Sequence, residues 1–234
     1  MALPKLVSSK YTLTIPSTGE VVEYRPYLVK EEKVLMTAFE SKDKAQMIAA
    51  LRDTIAGCTE GKVNIDTLAI FDFEYIFLKL RSKSVGETSK LAIKCSSCEA
   101  RNEVSVNLEE VQVSKAKGKN NKVELNEEVG MMLRYPTVKG LYKQLTHAKT
   151  DADQSMAAVV SAIESIYDAE NVYAAENETE KSLLEFLDSL TADQFKKVTV
   201  FFEDMPKLKH EVKFDCTKCS EHNSVVLEGI ENFF

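Results

Sequence analysis

Leu91-Ala92-Ile93-Lys94-Cys95-Ser96-Ser97-Cys98, continuing through Asn102, Val104 and Val106, has a counterpart near the other end of the chain. There Val212-Lys213-Phe214-Asp215-Cys216-Thr217-Lys218-Cys219 continues through Asn223 and Val225. In both copies apolar residues stand two and four positions before the first cysteine. An Asn follows the second cysteine by four positions, and a Val by six. Alternation on either side of a polar tip is the pattern of a β-hairpin, so each Cys-x-x-Cys pair is expected at the tip of one hairpin.

The spacing has a chemical reading. Two residues between cysteines let one tight turn aim both sulfurs at a single ion, and two such turns complete a tetrahedral shell of four thiolates. Thiolates suit zinc, and a shell with no open position is structural rather than catalytic. The pattern therefore predicts one zinc held by Cys95, Cys98, Cys216 and Cys219, coupling metal binding to folding. Competing readings are a redox pair, two separate sites, or buried cysteines without metal. The redox reading is weakened because a reactive Cys-x-x-Cys usually opens a helix in a βαβ unit, and neither pair does. His222 could replace a sulfur, though the symmetric hairpins give it no role. Cys58, alone at the end of a helical pattern, reads as a small buried apolar side chain.

Outward from the cysteines, the chain is ordinary in composition. Its 234 residues suffice for one large or two small cores, with 44% hydrophobic and 29% charged residues. The 30 basic and 37 acidic side chains give a net charge of -7, which argues against a general nucleic-acid binder. No apolar run approaches the roughly 18 residues of a membrane span, and the amino terminus lacks the apolar core of a signal peptide. A reducing cytoplasm is the expected setting, where paired cysteines are metal ligands more often than disulfides.

Tyr11, Leu13 and Ile15, then Val22 and Tyr24, flank the turn residues Pro16-Ser17-Thr18-Gly19 and predict a hairpin. Three helices follow. Val34, Leu35, Ala38 and Phe39 mark the first, and Met47, Ile48, Leu51 and Ile55 the second. The third is expected from an Asp66 cap to about Lys83, apolar on most of its circumference and so central to its domain. Residues 88–113 read as strands around the first cysteine pair, and 114–122 as a polar loop. Three more helical patterns come later: Met156, Val159, Val160, Ile163 and Tyr167 on one face; Leu183, Leu184 and Leu187 opened by Asn177; and Phe195, Val198 and Phe202 behind a Thr191/Gln194 capping box, ended by Met205-Pro206.

Little else resembles chemistry. His147, His210 and His222 have no recognisable nucleophile partner, and no phosphate- or dinucleotide-binding glycine pattern occurs among the eight glycines. Lys115, Lys117, Lys119 and Lys122 form a basic run without interleaved aromatics, so base stacking is unsupported. Ile230-Glu231-Asn232-Phe233-Phe234 either packs back on its own domain or docks into a neighbour.

Four stretches carry a resemblance across nearly the whole chain: Ile15–Gly19 with Tyr24-Arg25-Pro26; Phe71–Tyr75 through Leu80–Glu87; Leu133–Thr137; and Phe201–Leu208 leading to Cys216–Cys219 and Phe233-Phe234. In these the sequence resembles the small baseplate protein family of T-even-type myophages, a hub or hub-assembly component. The resemblance implies a non-catalytic role in building a phage tail baseplate, in the host cytoplasm, either as an assembly factor or as a part retained in the virion tail, with other baseplate or hub proteins as partners and no small-molecule substrate. Unlike common zinc knuckles, neither second cysteine precedes a glycine: Glu99 and Ser220 stand there, which leaves the tightness of each turn open.

The expected fold is α+β: β-hairpins and two helical groups, with the two knuckle hairpins joined in a zinc-ribbon-like four-cysteine site. The expected regions are 1–87 (hairpin and helices), 88–113 (first knuckle), 114–206 (loop and helices) and 207–234 (second knuckle and tail). The alternative function is a nucleic-acid-binding zinc ribbon.

Overall fold

The computed structural model describes residues 8–116, 121–147 and 150–233. Within them the chain is α+β and divides into two compact units. One unit is built from 8–65, 71–114 and 207–233, the other from 66–70 and the described part of 115–206.

The first unit begins with the expected hairpin, β1 (Tyr11–Thr14) antiparallel to β2 (Val21–Tyr24), with Leu13 opposite Val22. Gly19 closes the turn at φ +72°, a left-handed conformation in which glycine meets no Cβ penalty. Helices α1 (Val29–Ser41) and α2 (Lys44–Cys58) follow. Leu28 offers α1 no side-chain cap, so Glu31 reaches back to the Leu28 amide at 2.7 Å while Arg25 holds its other oxygen at 2.9 Å. Asp43 caps α2 by accepting from the Ala45 and Gln46 amides at 2.8 and 3.2 Å.

Helix α3 (Ile70–Ser84) buries Phe71, Phe73, Ile76, Phe77, Leu78 and Leu80, as its apolar circumference requires. Its expected start is corrected. Asp66 lies in a short 3-10 turn, Ile65–Thr67, and the helix begins only at Ile70. Between the two, Ala69 forms a β-bridge with Thr137, and the Leu68 carbonyl accepts from the Val138 amide at 3.0 Å. Backbone groups used in this way cannot also carry a helical ladder. Strands β3 (Thr88–Lys94) and β4 (Arg101–Asn107) then form the first cysteine hairpin, followed by the two-residue strand β5 (Gln112–Val113).

The second unit holds a four-stranded antiparallel sheet in simple order: β6 (Lys122–Glu124), β7 (Gly130–Leu133), β8 (Ile163–Tyr167) and β9 (Val172–Ala174). Around it are α4 (Val138–His147), α5 (Asp151–Ala162), α6 (Glu180–Asp188) and α7 (Ala192–Asp204). Two expectations change here. Ile163 and Tyr167 do not continue the α5 face but belong to β8, where Met131 pairs with Ile166 and Gly130 with Tyr167. The Ala162 carbonyl accepts from the Arg134 amide at 2.7 Å, which commits the backbone to the sheet. The cap of α6 is Thr179, accepting from the Ser182 amide at 3.1 Å; Asn177 sits in the short turn before it, Ala175–Asn177. The Thr191/Gln194 capping box of α7 forms as expected. The core of this unit gathers Leu125, Met131, Leu133, Ile163, Leu187 and Val198.

Returning to the first unit, β10 (Leu208–Asp215) and β11 (His222–Glu228) form the second cysteine hairpin, and β10 also pairs with β5. Both hairpins pack into one core with Leu78 of α3: Leu91, Val106, Leu108, Leu208, Val212, Leu227 and Phe233. The chain end therefore packs back on its own unit. Phe233 is fully buried in a short 3-10 turn, Ile230–Phe233, and its carbonyl accepts from the Ser89 hydroxyl at 2.8 Å. Phe234, Lys117 and Lys119 lie outside the described residues, as does the side chain of His147.

Candidate metal centre

The two hairpins present their cysteines in the same way because they have the same register. Ile93 lies opposite Asn102 in the first and Phe214 opposite Asn223 in the second. Beyond these pairs each chain closes a tight turn: the Glu99 amide donates to the Cys95 carbonyl at 3.0 Å, and the Ser220 amide to the Cys216 carbonyl at 2.9 Å. Glu99 (φ 55°) and Ser220 (φ 61°) adopt the left-handed backbone that glycine would otherwise occupy, so the missing glycines do not loosen the turns. Inside each turn an amide points at the first sulfur, from Ser97 to Cys95 and from Lys218 to Cys216, both at 3.4 Å.

The turns meet at their tips. Cys95 Sγ lies 3.7 Å from Cys219 Sγ, and Cys98 Sγ 3.6 Å from Cys216 Sγ. All four sulfurs fall within 4.8 Å of one another. A tetrahedral ion with bonds of about 2.3 Å to sulfur places its ligands about 3.8 Å apart, so the quartet is close enough to share one metal ion. Cys95 and Cys216 are buried, Cys98 half-buried and Cys219 exposed, so one edge of the cluster faces solvent.

Electrostatics point the same way. Amides of Cys98 and Ser97 hold the Cys95 thiol below its ordinary range, and those of Cys219 and Lys218 draw the Cys216 thiol down to about 6. At Cys219 the Glu221 amide also lowers the thiol, but the neighbouring sulfur of Cys98, burial, and the sulfurs of Cys216 and Cys95 outweigh it and push it up to about 12. Several thiolates this close resist full ionisation without a cation among them.

Sequence reasoning noticed Asn102 and Asn223 as a spacing and assigned them no task. Both are buried and reach across to the other hairpin. Asn223 Oδ1 accepts from the Ser96 amide and hydroxyl, both at 2.9 Å, and Asn102 Oδ1 from the Thr217 amide and hydroxyl at 2.9 and 3.0 Å. The signal was available in the matched position of the two asparagines and in the hydroxyl residue after each first cysteine.

The remaining candidates stay apart. His222 joins no sulfur; its Nδ1 pairs with Asp215 across the hairpin. Cys58 is buried at the end of α2, its thiol pushed up to about 11 by burial, with Arg25 Nη1 3.8 Å away. Lys122 bonds Glu124 at 2.9 Å and sits over the Tyr167 ring.

Compared with known proteins, residues 8–234 match the family described as T4 bacteriophage base plate protein. The chain belongs to that family. The match runs through both hairpins and both units, so the cysteine cluster lies within the family region rather than in an appendage. No curated protein and no solved structure matches the chain. Membership in a baseplate family supports a structural role in the phage tail baseplate, in association with other baseplate proteins. Among the described residues no helix is long and apolar enough to cross a membrane.

Proposed function

We propose that this chain is a non-enzymatic structural or assembly component of the phage tail baseplate hub, and that Cys95, Cys98, Cys216 and Cys219 hold one Zn²⁺ that locks the two hairpins together. The family match over 8–234 carries the baseplate reading. The sulfur quartet within 4.8 Å carries the metal reading. Four protein thiolates leave the ion no open position for water or substrate, so its contribution is to the fold. The rigid body so formed engages other baseplate or hub proteins, first in the host cytoplasm and then in the virion tail.

Two experiments test this. Metal analysis of the purified chain is expected to give about one zinc per molecule, and Cys98→Ser is expected to lose the metal and much of its solubility. A variant that keeps zinc and folds normally would remove the metal reading. Recovery of the chain with other tail proteins from infected cells, or from purified virions, tests the baseplate role; its absence from both would overturn that role whatever the metal content.

A further inference from the structure

The asparagine pair at the knuckles does more than fill space. Each side-chain amide is fully used. Asn223 Nδ2 donates to the Glu221 carbonyl of its own hairpin at 2.9 Å and to Cys95 Sγ of the other at 3.6 Å. Asn102 Nδ2 donates to the Ala100 carbonyl at 2.9 Å and to Cys216 Sγ at 3.7 Å. Each Oδ1 takes two donors, the amide and hydroxyl of the residue following the opposite first cysteine. Rotating either amide by half a turn would set its NH₂ against those donors and its oxygen against a carbonyl and a sulfur, so the network fixes the orientation.

Resting on the zinc reading above, we infer that Asn102 and Asn223 are positioning residues of the metal centre, each fixing the opposite knuckle and donating a hydrogen bond to its buried first sulfur. Burying two amides between apolar hairpins is costly unless every polar atom is satisfied, and an apolar pair would serve packing alone with less risk. What the asparagines add is specific to sulfur. A shell of four thiolates around a divalent ion carries excess negative charge, and an N–H directed at a ligand atom relieves it. The crosswise arrangement also makes each hairpin's turn depend on the other hairpin, so protein contacts as well as the ion draw the four sulfurs together.

Substitution of aspartate tests this while nearly preserving shape. Asn102→Asp and Asn223→Asp keep an acceptor for the amide and hydroxyl, but lose the N–H on sulfur and add charge beside the thiolates. Zinc affinity is expected to fall by about 10- to 100-fold in each. In the Co²⁺-substituted protein the sulfur-to-metal charge-transfer band should move to lower energy, because an unbonded thiolate is more electron-rich, while the tetrahedral ligand-field bands stay in place. Purely structural asparagines would change melting temperature without moving that band. Asn102→Ala and Asn223→Ala, which add no charge, serve if the aspartate variants fail to fold. If the wild type binds one metal and the variants match it in affinity and spectrum, the positioning role is wrong and the zinc reading stands. If the wild type binds no metal, the zinc reading fails, and this inference with it.

Discussion

Glu99 and Ser220 are the residues at which local cost and site geometry conflict. Both hold left-handed backbone, at φ 55° and 61°, in order to turn the chain sharply behind the second cysteine. For a residue with a Cβ that conformation costs on the order of 1 kcal/mol, and glycine avoids it. Glycine also has more freedom to lose on folding, which offsets part of the gain. Glu99→Gly and Ser220→Gly are therefore expected to stabilise the chain by a few tenths to about 1 kcal/mol each. Equilibrium urea unfolding reads this directly, and a loss of stability in both would show that the side chains carry contacts outweighing the strain. At this scale the sequence was legible where chemistry is local. The gathering of four cysteine sulfurs was expected from spacing alone, whereas the contacts of Asn102 and Asn223 were not, because each bonds a hairpin more than a hundred residues away, as the separation of 127 between Ser96 and Asn223 illustrates.

Helix α3 and the chain end form the element whose energetics depend most plainly on pH. Glu74 sits on α3 beside the Ile230–Phe233 turn. Burial raises its carboxyl to about 7, against the Ile230 amide, which lowers it, and with a further rise from Glu231. Since the folded value lies above the ordinary 4.5, the folded state favours the proton. This stabilisation is complete below about 4.5 and is lost as pH rises to about 7, beyond which a half-buried charge remains. The full difference is on the order of 3 kcal/mol. Glu74→Gln retains an acceptor for Ile230 and carries no charge, so its melting temperature relative to wild type should rise across that interval and level off above it. Comparing the two proteins at each pH cancels the titration of the cysteines, which both share. A constant offset at all pH values would show that folding does not shift the Glu74 carboxyl. Elements also mark where sequence reading met its limit. The apolar circumference of α3 identified its burial, but a single run from Met156 to Tyr167 concealed a helix and a strand. Ile163 and Ile166 satisfy a helical spacing and a sheet equally, and the decision came from the partner strand at Met131 and from Arg134 taking the Ala162 carbonyl. Likewise Asp66 has the chemistry of a cap, but the backbone beyond it was claimed by Thr137 and Val138.

On the scale of the whole molecule, most of the second unit is one long insertion in the chain of the first, with residues 66–70 as its other segment. The chain leaves the first unit after Ser114 and re-enters it at Lys207, and the two ends are paired: the Ser114 amide donates to the Lys207 carbonyl at 2.8 Å, and Val113 lies opposite Leu208. All four cysteines fall in the first unit, on segments either side of the insertion. If they bind zinc, removal of the ion should be felt unevenly. Apparent binding free energies of structural zinc run to about 10–16 kcal/mol, as large as the whole stability of a typical domain at about 5–15 kcal/mol. Besides the sulfurs, the knuckle tips are joined across the hairpins by the hydrogen bonds of Asn102 and Asn223, each worth about 1 kcal/mol net and together far less than such an ion. Hydrogen exchange on the intact chain, before and after chelation, is expected to show β3, β4, β10 and β11 losing protection by at least about a hundredfold, given a loss of several kcal/mol. The sheet β6–β9 and helices α5 to α7, whose core of Met131, Leu133, Ile163 and Val198 includes no cysteine, should change by less than about tenfold. Equal loss in both units would mean that the insertion depends on the metal for its own folding. Unchanged protection in the hairpins would mean that the apolar core around Leu78 and Phe233 suffices without the ion, and the sulfur cluster would then need another purpose.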